Sequence, residues 1–401
     1  MKSVRNHWKA RIMLFFVSQC VTLLGSQIVQ MAIVWHVTLT TGSGAWVAAF
    51  SLGAYLPQFF VSFLGGVWAD RFSRKRLILG ADLLTAAAAL AMVLLMPRIG
   101  DGTALLTALL LMSALRSACA GIQNPAVSAV VTQLADEGER MRYNGIYAAM
   151  QSAVQFAAPA AAALALSAGT LRAVMMIDIT TAALGVGLLA CIAVPRVSGE
   201  EENASAVIRM KAGIRYAVSA RTVRRALIVY GWFLFWSVPA GYLAGLFVSR
   251  AYGESYGYLT AVELVGFGGM MAGGLLMSLR QGFRDRRVTL GAGLMFFGIM
   301  ACAMAVSRCF VWYLVFMALY GVALTMVQTT IMTMLQENTE EAMQGRVFGL
   351  MSALYAGCYP AGMALFGPMA DAVPLRLLMI LSGAALMASA AFVWGDVHRN
   401  P

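Results

Sequence analysis

Charged side chains are scarce in this chain, and the usual markers of soluble enzymes are missing. Charged residues make up 12% of the 401 residues, about half of the roughly 25% found in soluble domains. The sequence has no Walker A glycine loop, no Ser-His-Asp arrangement and no metal-ligand spacing. These absences exclude an ATP motor within the chain itself. We therefore expect no enzymatic activity, no cofactor, no metal and no nucleic-acid partner.

Long apolar runs recur from one end of the chain to the other. Hydrophobic residues make up 60% of the sequence, and the mean hydropathy is +0.76. A run of about 20 apolar residues crosses a hydrocarbon layer of about 30 Å when it is helical. We therefore predict an all-α membrane protein with twelve transmembrane helices in two six-helix bundles. The predicted spans lie near 12–39, 44–69, 77–96, 103–132, 143–168, 172–194, 226–249, 255–279, 288–306, 310–335, 346–370 and 374–395.

The positive charges are distributed unevenly between the predicted loops. The chain carries 29 Lys and Arg residues against 18 Asp and Glu residues. Most of the basic residues lie in the two tails and in the loops that follow even-numbered spans, and these segments share one side of the membrane. Cytoplasmic loops are enriched in Lys and Arg, so we expect both termini in the cytoplasm. Membrane topology thus accounts for the net charge of +11.

The longest polar stretch, residues 196–225, lies between the sixth and seventh spans. It separates an N-terminal six-helix bundle at 1–195 from a C-terminal six-helix bundle at 226–401. Basic residues flank an apolar helical face within it, which predicts a short amphipathic helix on the cytoplasmic surface of the membrane. That face is formed by Val207, Met210, Ile214 and Val218.

The two halves repeat one sequence element. Gly65-Gly66 precedes a basic loop after the second span, and Gly273-Gly274 precedes a basic loop after the eighth. Each loop leads into a Leu-Gly pair, Leu79-Gly80 in the first half and Leu290-Gly291 in the second. An internal duplication predicts this correspondence, and parallel six-helix repeats place a substrate site at their interface.

The loop after the second span carries a known type of motif. It reads Gly66-x-x-x-Asp70-Arg71-x-Ser73-x-Lys75-Arg76 and resembles the signature of the major facilitator superfamily, Gly-x-x-x-Asp-basic-x-Gly-x-basic-basic. Ser73 departs from the usual glycine. The resemblance implies alternating access, with Asp70 bonding a neighbouring helix end or basic residue in the outward-open state. The alternative is that these charges only set the topology. The implied gating loop is Gly66, Asp70, Arg71, Lys75 and Arg76.

Further segments are spread over nearly the whole chain: 26–33, Thr41-Gly42-Ser43, 79–83, Ile177-Asp178, Glu263, 271–276 and 345–348. Together they resemble the macrolide-efflux branch of drug exporters. The resemblance implies drug resistance through proton-coupled antiport of a small lipophilic or amphipathic substrate across the bacterial cytoplasmic (inner) membrane. A monomer embedded in the lipid bilayer is sufficient for this architecture. An importer, a siderophore exporter and a lysolipid flippase of the same fold are the alternatives.

The fifth span carries a variant of the superfamily's antiporter motif, Gly-x-x-x-Gly-Pro-x-x-Gly-Gly. This chain has Val154-x-x-x-Ala158-Pro159-x-x-Ala162-Ala163. Pro159 is retained, whereas alanine or valine replaces each glycine. Small residues still permit close helix approach, and Pro159 still lacks a backbone donor. The resemblance therefore favours antiport.

Three charged residues lie deep within predicted spans: Arg116, Asp178 and Glu263. A charge within a membrane is costly and is a functional hypothesis by default. Arg116 lies near mid-membrane, stays protonated and can act on a nearby carboxylate. Asp178 and Glu263 lie about 9 and 12 Å from the outer ends of their spans, where desolvation favours proton binding. The alternatives are backbone bonding for Arg116 and contact with water or a nearby Arg for the two acids.

Further residues are candidates for contact with a substrate. Gln27 and Gln30 lie at a similar outer depth in the first span, where they can bond a ligand or, equally, a neighbouring helix. Phe233 and Trp236 share one face of the seventh span and suit lipophilic binding, although lipid-facing aromatics are the commoner case. Asp82, early in the third span, is expected to extend its carboxylate towards the cytoplasm.

Overall fold

A computed structural model describes residues 2–100, 102–134, 139–192, 215–280 and 285–399. Within these ranges the chain is helical without strands, and twelve stretches are long and apolar enough to cross a membrane. The predicted all-α, twelve-span fold class is confirmed. The helices are α1 (Lys2–Thr41), α2 (Gly44–Arg71), α3 (Arg74–Ile99), α4 (Thr103–Leu134), α5 (Arg140–Ala168), α6 (Leu171–Ala190), α7 (Arg221–Gly241), α8 (Ala244–Tyr252), α9 (Tyr256–Arg280), α10 (Arg286–Val306), α11 (Phe310–Glu337), α12 (Glu341–Ala372) and α13 (Leu375–Arg399).

Some sequence predictions fall outside the described part of the chain. Three residues of the predicted apolar face, Val207, Met210 and Ile214, belong to residues 193–214, which the structure does not describe. The fourth, Val218, lies in a described helical stretch and is 56% exposed. The burial and contacts of Gly66 and of the Asp70 and Arg71 side chains are also outside what the structure describes. The amphipathic helix and the gating role of these three residues therefore stay predictions.

The sequence predicts the seventh span as one helix at 226–249, and the structure differs from this prediction. It begins earlier, at Arg221, and is broken into α7 and α8. Pro239 lies inside the end of α7, and a proline cannot donate the backbone hydrogen bond that would continue the helix regularly. Next to it, a Cβ added to Gly241 would lie 2.6 Å from the hydroxyl oxygen of Tyr320 in α11. The break therefore coincides with a close approach between α7 and α11.

The chain divides into two compact units. Unit 1 comprises Met1–Val37 and Ala49–Glu201, and unit 2 comprises Thr38–Ala48 and Glu202–Pro401. The first turn of α2 is thus grouped with unit 2, whereas the rest of α2 belongs to unit 1. Unit 1 has an apolar core near the start of α1, which includes Ile12, Phe15 and Phe16.

Unit 2 has a larger core that is rich in aromatic rings. Phe297 of α10 contacts both Phe233 of α7 and Tyr320 of α11, with ring centroids 5.0 and 4.2 Å apart. Glycines bring α9 and α11 into backbone contact, because a Cβ on Gly269 would lie 2.1 Å from the carbonyl oxygen of Ala318. Close packing of small residues is the main source of helix association in lipid, where burial of apolar surface adds little.

The repeated glycine pair occupies equivalent positions in the two units. In unit 1, a Cβ on Gly65 of α2 would lie 2.4 Å from the carbonyl oxygen of Gly121 in α4. In unit 2, a Cβ on Gly273 of α9 would lie 2.9 Å from the Cα of Val322 in α11. Each glycine thus lets the second span of its half pack on the fourth span. This shared packing supports the internal duplication that the sequence predicts.

Candidate functional site

Arg116 of α4 and Asp178 of α6 form an ion pair inside unit 1. The guanidinium Nη1 bonds Asp178 Oδ2, and Nη2 donates to Oδ1 at 3.3 Å. The two side chains are 7% and 4% exposed, so water cannot replace either partner. Removing one partner from a buried pair leaves an uncompensated charge, which is strongly destabilising. The sequence identified both residues separately, and the structure brings them together.

Close packing between α1 and α6 encloses the acidic end of this pair. A Cβ on Gly25 would lie 1.9 Å from Thr181 Oγ1 and 3.4 Å from Asp178 Cα. One turn further along α6, Ser18 of α1 donates from its hydroxyl to the carbonyl oxygen of Gly185 at 2.8 Å. The absence of a side chain at Gly25 therefore allows α1 to cover Asp178.

Asp82 of α3 is a buried acid that sequence reasoning placed incorrectly. It was expected to reach the cytoplasm, but it is only 5% exposed. Its Oδ1 accepts a hydrogen bond from Gln123 Nε2 of α4 at 2.9 Å. Its Oδ2 is buried and has no hydrogen-bond partner among the described residues. Asp82 lies about two turns after the start of α3 at Arg74, and its carboxylate packs against α4 instead of extending past the end of the helix.

Asp82 and the ion pair belong to one electrostatic cluster. Gln123, which bonds Asp82, lies on α4 two turns after Arg116, so the acid and the ion pair are held on the same face of that helix. We call Asp82, Arg116, Gln123 and Asp178 the membrane charge cluster. Its two carboxylates and single guanidinium leave a net negative charge when both acids are ionised. One bound proton would make the cluster neutral, which is the less costly state within a membrane.

Glu263 of α9 lies in unit 2 in a different environment. It is partly buried, and no hydrogen bond or ion pair connects it to another residue of the described ranges. Tyr313 of α11 lies near Glu263. The Tyr313 side chain is fully buried, and its hydroxyl also lacks a hydrogen-bond partner in the described part of the chain. A carboxylate without a fixed partner is free to exchange a proton or to bind a ligand.

Two residues of the predicted gating loop have described side chains. Lys75 Nζ donates to the carbonyl oxygens of Ala190 and Ile192 at the end of α6, each at 2.7 Å. This contact satisfies carbonyl groups that a helix C-terminus leaves unpaired. Arg76, the next residue, is exposed. Lys75 therefore joins the start of α3 to the end of α6, whatever further part it has in gating.

The candidate cavity residues fall in two kinds of environment. Gln27 and Gln30 of α1 are half-buried, and neither makes a hydrogen bond to a described residue. Their amides are therefore available to a ligand. By contrast, Phe233 is 0% exposed and packs edge-on against Phe297, which places it in the core of unit 2 without surface for a ligand.

Trp236 and Pro159 complete the set of sequence-predicted residues. Trp236 is half-buried against Trp232, Phe235 and Phe366. Its indole N–H is buried and has no hydrogen-bond partner within the described ranges. Pro159 lies buried inside α5, and its part in antiport stays a prediction.

Known proteins resemble the chain over nearly its whole length. The family described as Major Facilitator Superfamily matches residues 15–362. Macrolide efflux protein A of Streptococcus pyogenes is 25% identical over 390 residues, which cover 96% of this chain and 95% of that protein. The multidrug efflux pump Tap of Mycobacterium bovis is 23% identical over 386 residues, which cover 93% of this chain and 90% of the pump.

Solved structures share the same architecture. A bacterial homologue of the iron transporter ferroportin, in an inward-facing state, has a TM-score of 0.73 at 16% identity and covers 96% of this chain and 98% of its own. An auto-inhibited peptide transporter of the POT family has a TM-score of 0.70 at 14% identity, with 98% and 97% covered. At these identities the likeness establishes the fold alone.

Proposed function

This chain belongs to the major facilitator superfamily, and we propose that it is a proton-coupled exporter of lipophilic or amphipathic drugs that works by alternating access. The family makes it a multi-pass membrane transporter. Its relatives include proteins named for macrolide efflux and for multidrug efflux, which supports a macrolide-like substrate. The exporter would lie in the bacterial inner membrane with both termini in the cytoplasm.

The observation that carries proton coupling is the buried Asp82 beside the Arg116–Asp178 pair. Asp82 has one carboxylate oxygen satisfied by Gln123 and one buried oxygen without a partner. A buried polar atom without a hydrogen bond is unfavourable, and a proton on that oxygen would remove the negative charge that burial penalises. The arrangement is therefore suited to binding and releasing a proton.

Each member of the cluster has a distinct part in the proposed cycle. Arg116 keeps its positive charge throughout, because a guanidinium does not deprotonate in proteins. It pairs with the carboxylate of Asp178 through the two hydrogen bonds described above. Asp82 accepts a proton from the outer side, and the proton leaves towards the cytoplasm after the protein changes conformation. Glu263 is a second proton-binding candidate, in unit 2.

Substrate recognition would use polar groups that make no hydrogen bond to another described residue. Gln27 and Gln30 offer neutral hydrogen bonds, and Trp236 offers an aromatic surface and an unpaired indole N–H. A few polar groups among apolar walls suit lipophilic compounds of varied shape. No partner protein and no cofactor is needed for this mechanism.

Accumulation of radiolabelled erythromycin in drug-sensitive cells tests the proposal. Cells that express the chain should accumulate less drug than cells with an empty vector, and a protonophore should abolish the difference. The Asp82→Asn variant should behave like the empty vector at equal membrane expression. Glu254→Gln is the matched control, because Glu254 is an exposed carboxylate in the loop before α9, and it should retain efflux.

Unchanged erythromycin accumulation with confirmed membrane expression would contradict the macrolide assignment. Siderophore and lysolipid transport would then be measured next. Higher accumulation in expressing cells than in the vector control would instead indicate an importer.

A further inference from the structure

The carboxylate of Asp371, at the end of α12, caps the first turn of α2. Its Oδ1 accepts the backbone N–H of Gly44 at 2.7 Å, and its Oδ2 accepts the N–H of Ala45 at 2.9 Å and the hydroxyl of Ser43 at 2.7 Å. The first N–H groups of a helix have no partner within the helix, and its N-terminus favours negative charge. Asp371 thus acts as an N-cap supplied from a distant part of the sequence.

Arg250, at the end of α8, braces the same contact. Its Nη2 donates to Asp371 Oδ1 at 2.7 Å and to the carbonyl oxygen of Gly42 at 2.6 Å. Its Nη1 donates to the carbonyl oxygen of Ala370 at 2.6 Å. Gly42 has a φ of +55°, a conformation that glycine adopts without strain. One guanidinium therefore joins the α1–α2 turn to the end of α12.

Glycines bring the two helices into direct backbone contact below these polar groups. A Cβ on Gly44 would lie 2.2 Å from the carbonyl oxygen of Gly367 in α12. A Cβ on Gly367 would lie 2.2 Å from the Cβ of Ala48 in α2. Neither position has room for any other residue in this conformation. The start of α2 is therefore fitted closely to α12.

The hydrogen bonds that Arg250 and Asp371 make to each other and to the start of α2 are partly exposed to solvent. The side chains of Arg250 and Asp371 are 35% and 33% exposed, so water can replace their hydrogen bonds when the contact opens. The buried Arg116–Asp178 pair has no such route to water. An exposed ion pair alone contributes little, but this carboxylate also binds two backbone N–H groups and a hydroxyl.

We propose that Asp371 and Arg250 form a releasable latch, which holds the start of α2 on unit 2 in the described conformation and releases it in the other conformation of the transport cycle. The latch rests on the alternating access of the proposed function. It assigns a gating role to two residues that lie on the predicted outer side of the membrane, at the opposite end of α2 from the predicted gating loop. The latch binds the Thr41-Gly42-Ser43 segment through Gly42 and Ser43. This segment also carries part of the sequence resemblance.

A spin-label distance between Ala45→Cys and Glu254→Cys, measured in lipid nanodiscs without drug or proton gradient, tests the latch. Both positions are exposed. Asp371→Ala should increase the population at longer distance about fivefold, the effect expected for loss of an N-cap. Asp371→Asn keeps the side-chain shape and should give a smaller change in the same direction. The background lacks the native cysteines Cys20, Cys119, Cys191, Cys302, Cys309 and Cys358.

Two further variants separate a helix-capping latch from a simple ion pair. Exchange of the two charges, Arg250→Asp with Asp371→Arg, should fail to restore the short distance, because a cation at 371 faces the α2 N-terminus. Glu337→Ala is the matched control, since it breaks the exposed Arg286–Glu337 pair of unit 2, and it should leave the distance unchanged.

An unchanged distance distribution in both folded Asp371 variants, or full restoration by the charge exchange, would overturn the latch. Because the measurement requires no transport, a failure of drug efflux in the wild-type chain would not alter this result. The latch and the proposed function therefore fail independently.

Discussion

Gln123 donates a hydrogen bond to one oxygen of Asp82 at 2.9 Å, while the other oxygen of Asp82 is buried without a partner among the described residues. The two residues lie on neighbouring helices, α4 and α3, and Arg116 occupies the same helix as Gln123 two turns earlier. Gln123 thus fixes the orientation of the carboxyl group, and the second oxygen is the atom that binds the proton in the proposed mechanism. The neutral amide can bond Asp82 in either protonation state.

Asp82→Asn should uncouple proton movement from drug movement. The amide has nearly the shape of the protonated acid but cannot release a proton, so one half of the cycle is lost. In proteoliposomes that contain a pH-sensitive dye, drug-driven proton movement should fall to the level of protein-free vesicles. Glu254→Gln should leave it at the wild-type level. Wild-type proton movement in the Asp82→Asn protein would exclude Asp82 as the coupling group.

Removing one member of the Arg116–Asp178 pair should destabilise the fold. Asp178→Leu leaves a buried guanidinium without its counter-ion, which costs about 3–5 kcal/mol. Arg116→Met should have a similar effect, because it leaves the carboxylate unpaired. Thermal unfolding in detergent micelles, followed by the reaction of the buried Cys119 with a maleimide dye after the exposed Cys191 and Cys309 have been replaced, measures both changes.

The double variant Arg116→Met/Asp178→Leu separates folding from function. Replacing both charges with apolar side chains removes the unpaired charge, so the double variant should be more stable than either single variant. It should nevertheless lack drug efflux. If the double variant transports drug at the wild-type rate, the pair has only a structural role.

The spans and the deep charges were predictable from sequence, because lipid imposes a strong pattern on both. Arg116 and Asp178 are conspicuous in an apolar background, and the cost of an isolated charge predicts that each has a partner. Their mutual contact was not predictable, because it depends on how α4, α6 and α1 pack. Asp82 was misplaced because its burial depends on how α3 packs against Gln123 of α4, which a single sequence does not show.

The Asp371–Arg250 contact, at the ends of the spans, was also not predictable from the sequence. Sequence places Arg250 on the outer side as a loop charge, and it gives no reason to connect Asp371 with the start of α2 more than 300 residues earlier. Only the packing of Gly44 against Gly367 brings the carboxylate to the helix N-terminus. Close approaches of this kind leave a weak signal in a single sequence, because glycine is common in membrane helices.

Gly269→Ala should weaken the contact between α9 and α11. The added methyl group would meet the carbonyl oxygen of Ala318, so the two backbones must separate, at a cost of about 1–3 kcal/mol. Gly268→Ala is the matched control, because an added Cβ there meets no atom within 4 Å. It should stabilise α9 slightly, since alanine favours helix more than glycine does. Equal unfolding temperatures for the two variants would contradict this account of the contact.

Lys75→Ala should lower stability more than Arg76→Ala. Lys75 bonds two carbonyl oxygens at the end of α6, and loss of such a charge-assisted contact costs about 1 kcal/mol. Arg76 is exposed, so its removal should change the unfolding temperature little. Unfolding in detergent compares the two proteins. A larger effect from Arg76→Ala would show that the α6 contact contributes nothing measurable.

Glu263→Gln should separate drug exchange from net efflux. Glutamine has nearly the shape of a protonated glutamate, so the variant resembles a protein that always carries the proton at this position. Exchange of external for internal labelled drug in proteoliposomes requires no proton release and should continue. Efflux driven by a pH gradient should fall to background. Loss of both activities would instead indicate a structural or substrate-binding role.

The neighbouring Tyr313→Phe variant removes a buried hydroxyl without a partner in the described part of the chain. It should therefore keep or raise stability by about 1 kcal/mol and retain the exchange, which makes it the matched control for disturbance at this site.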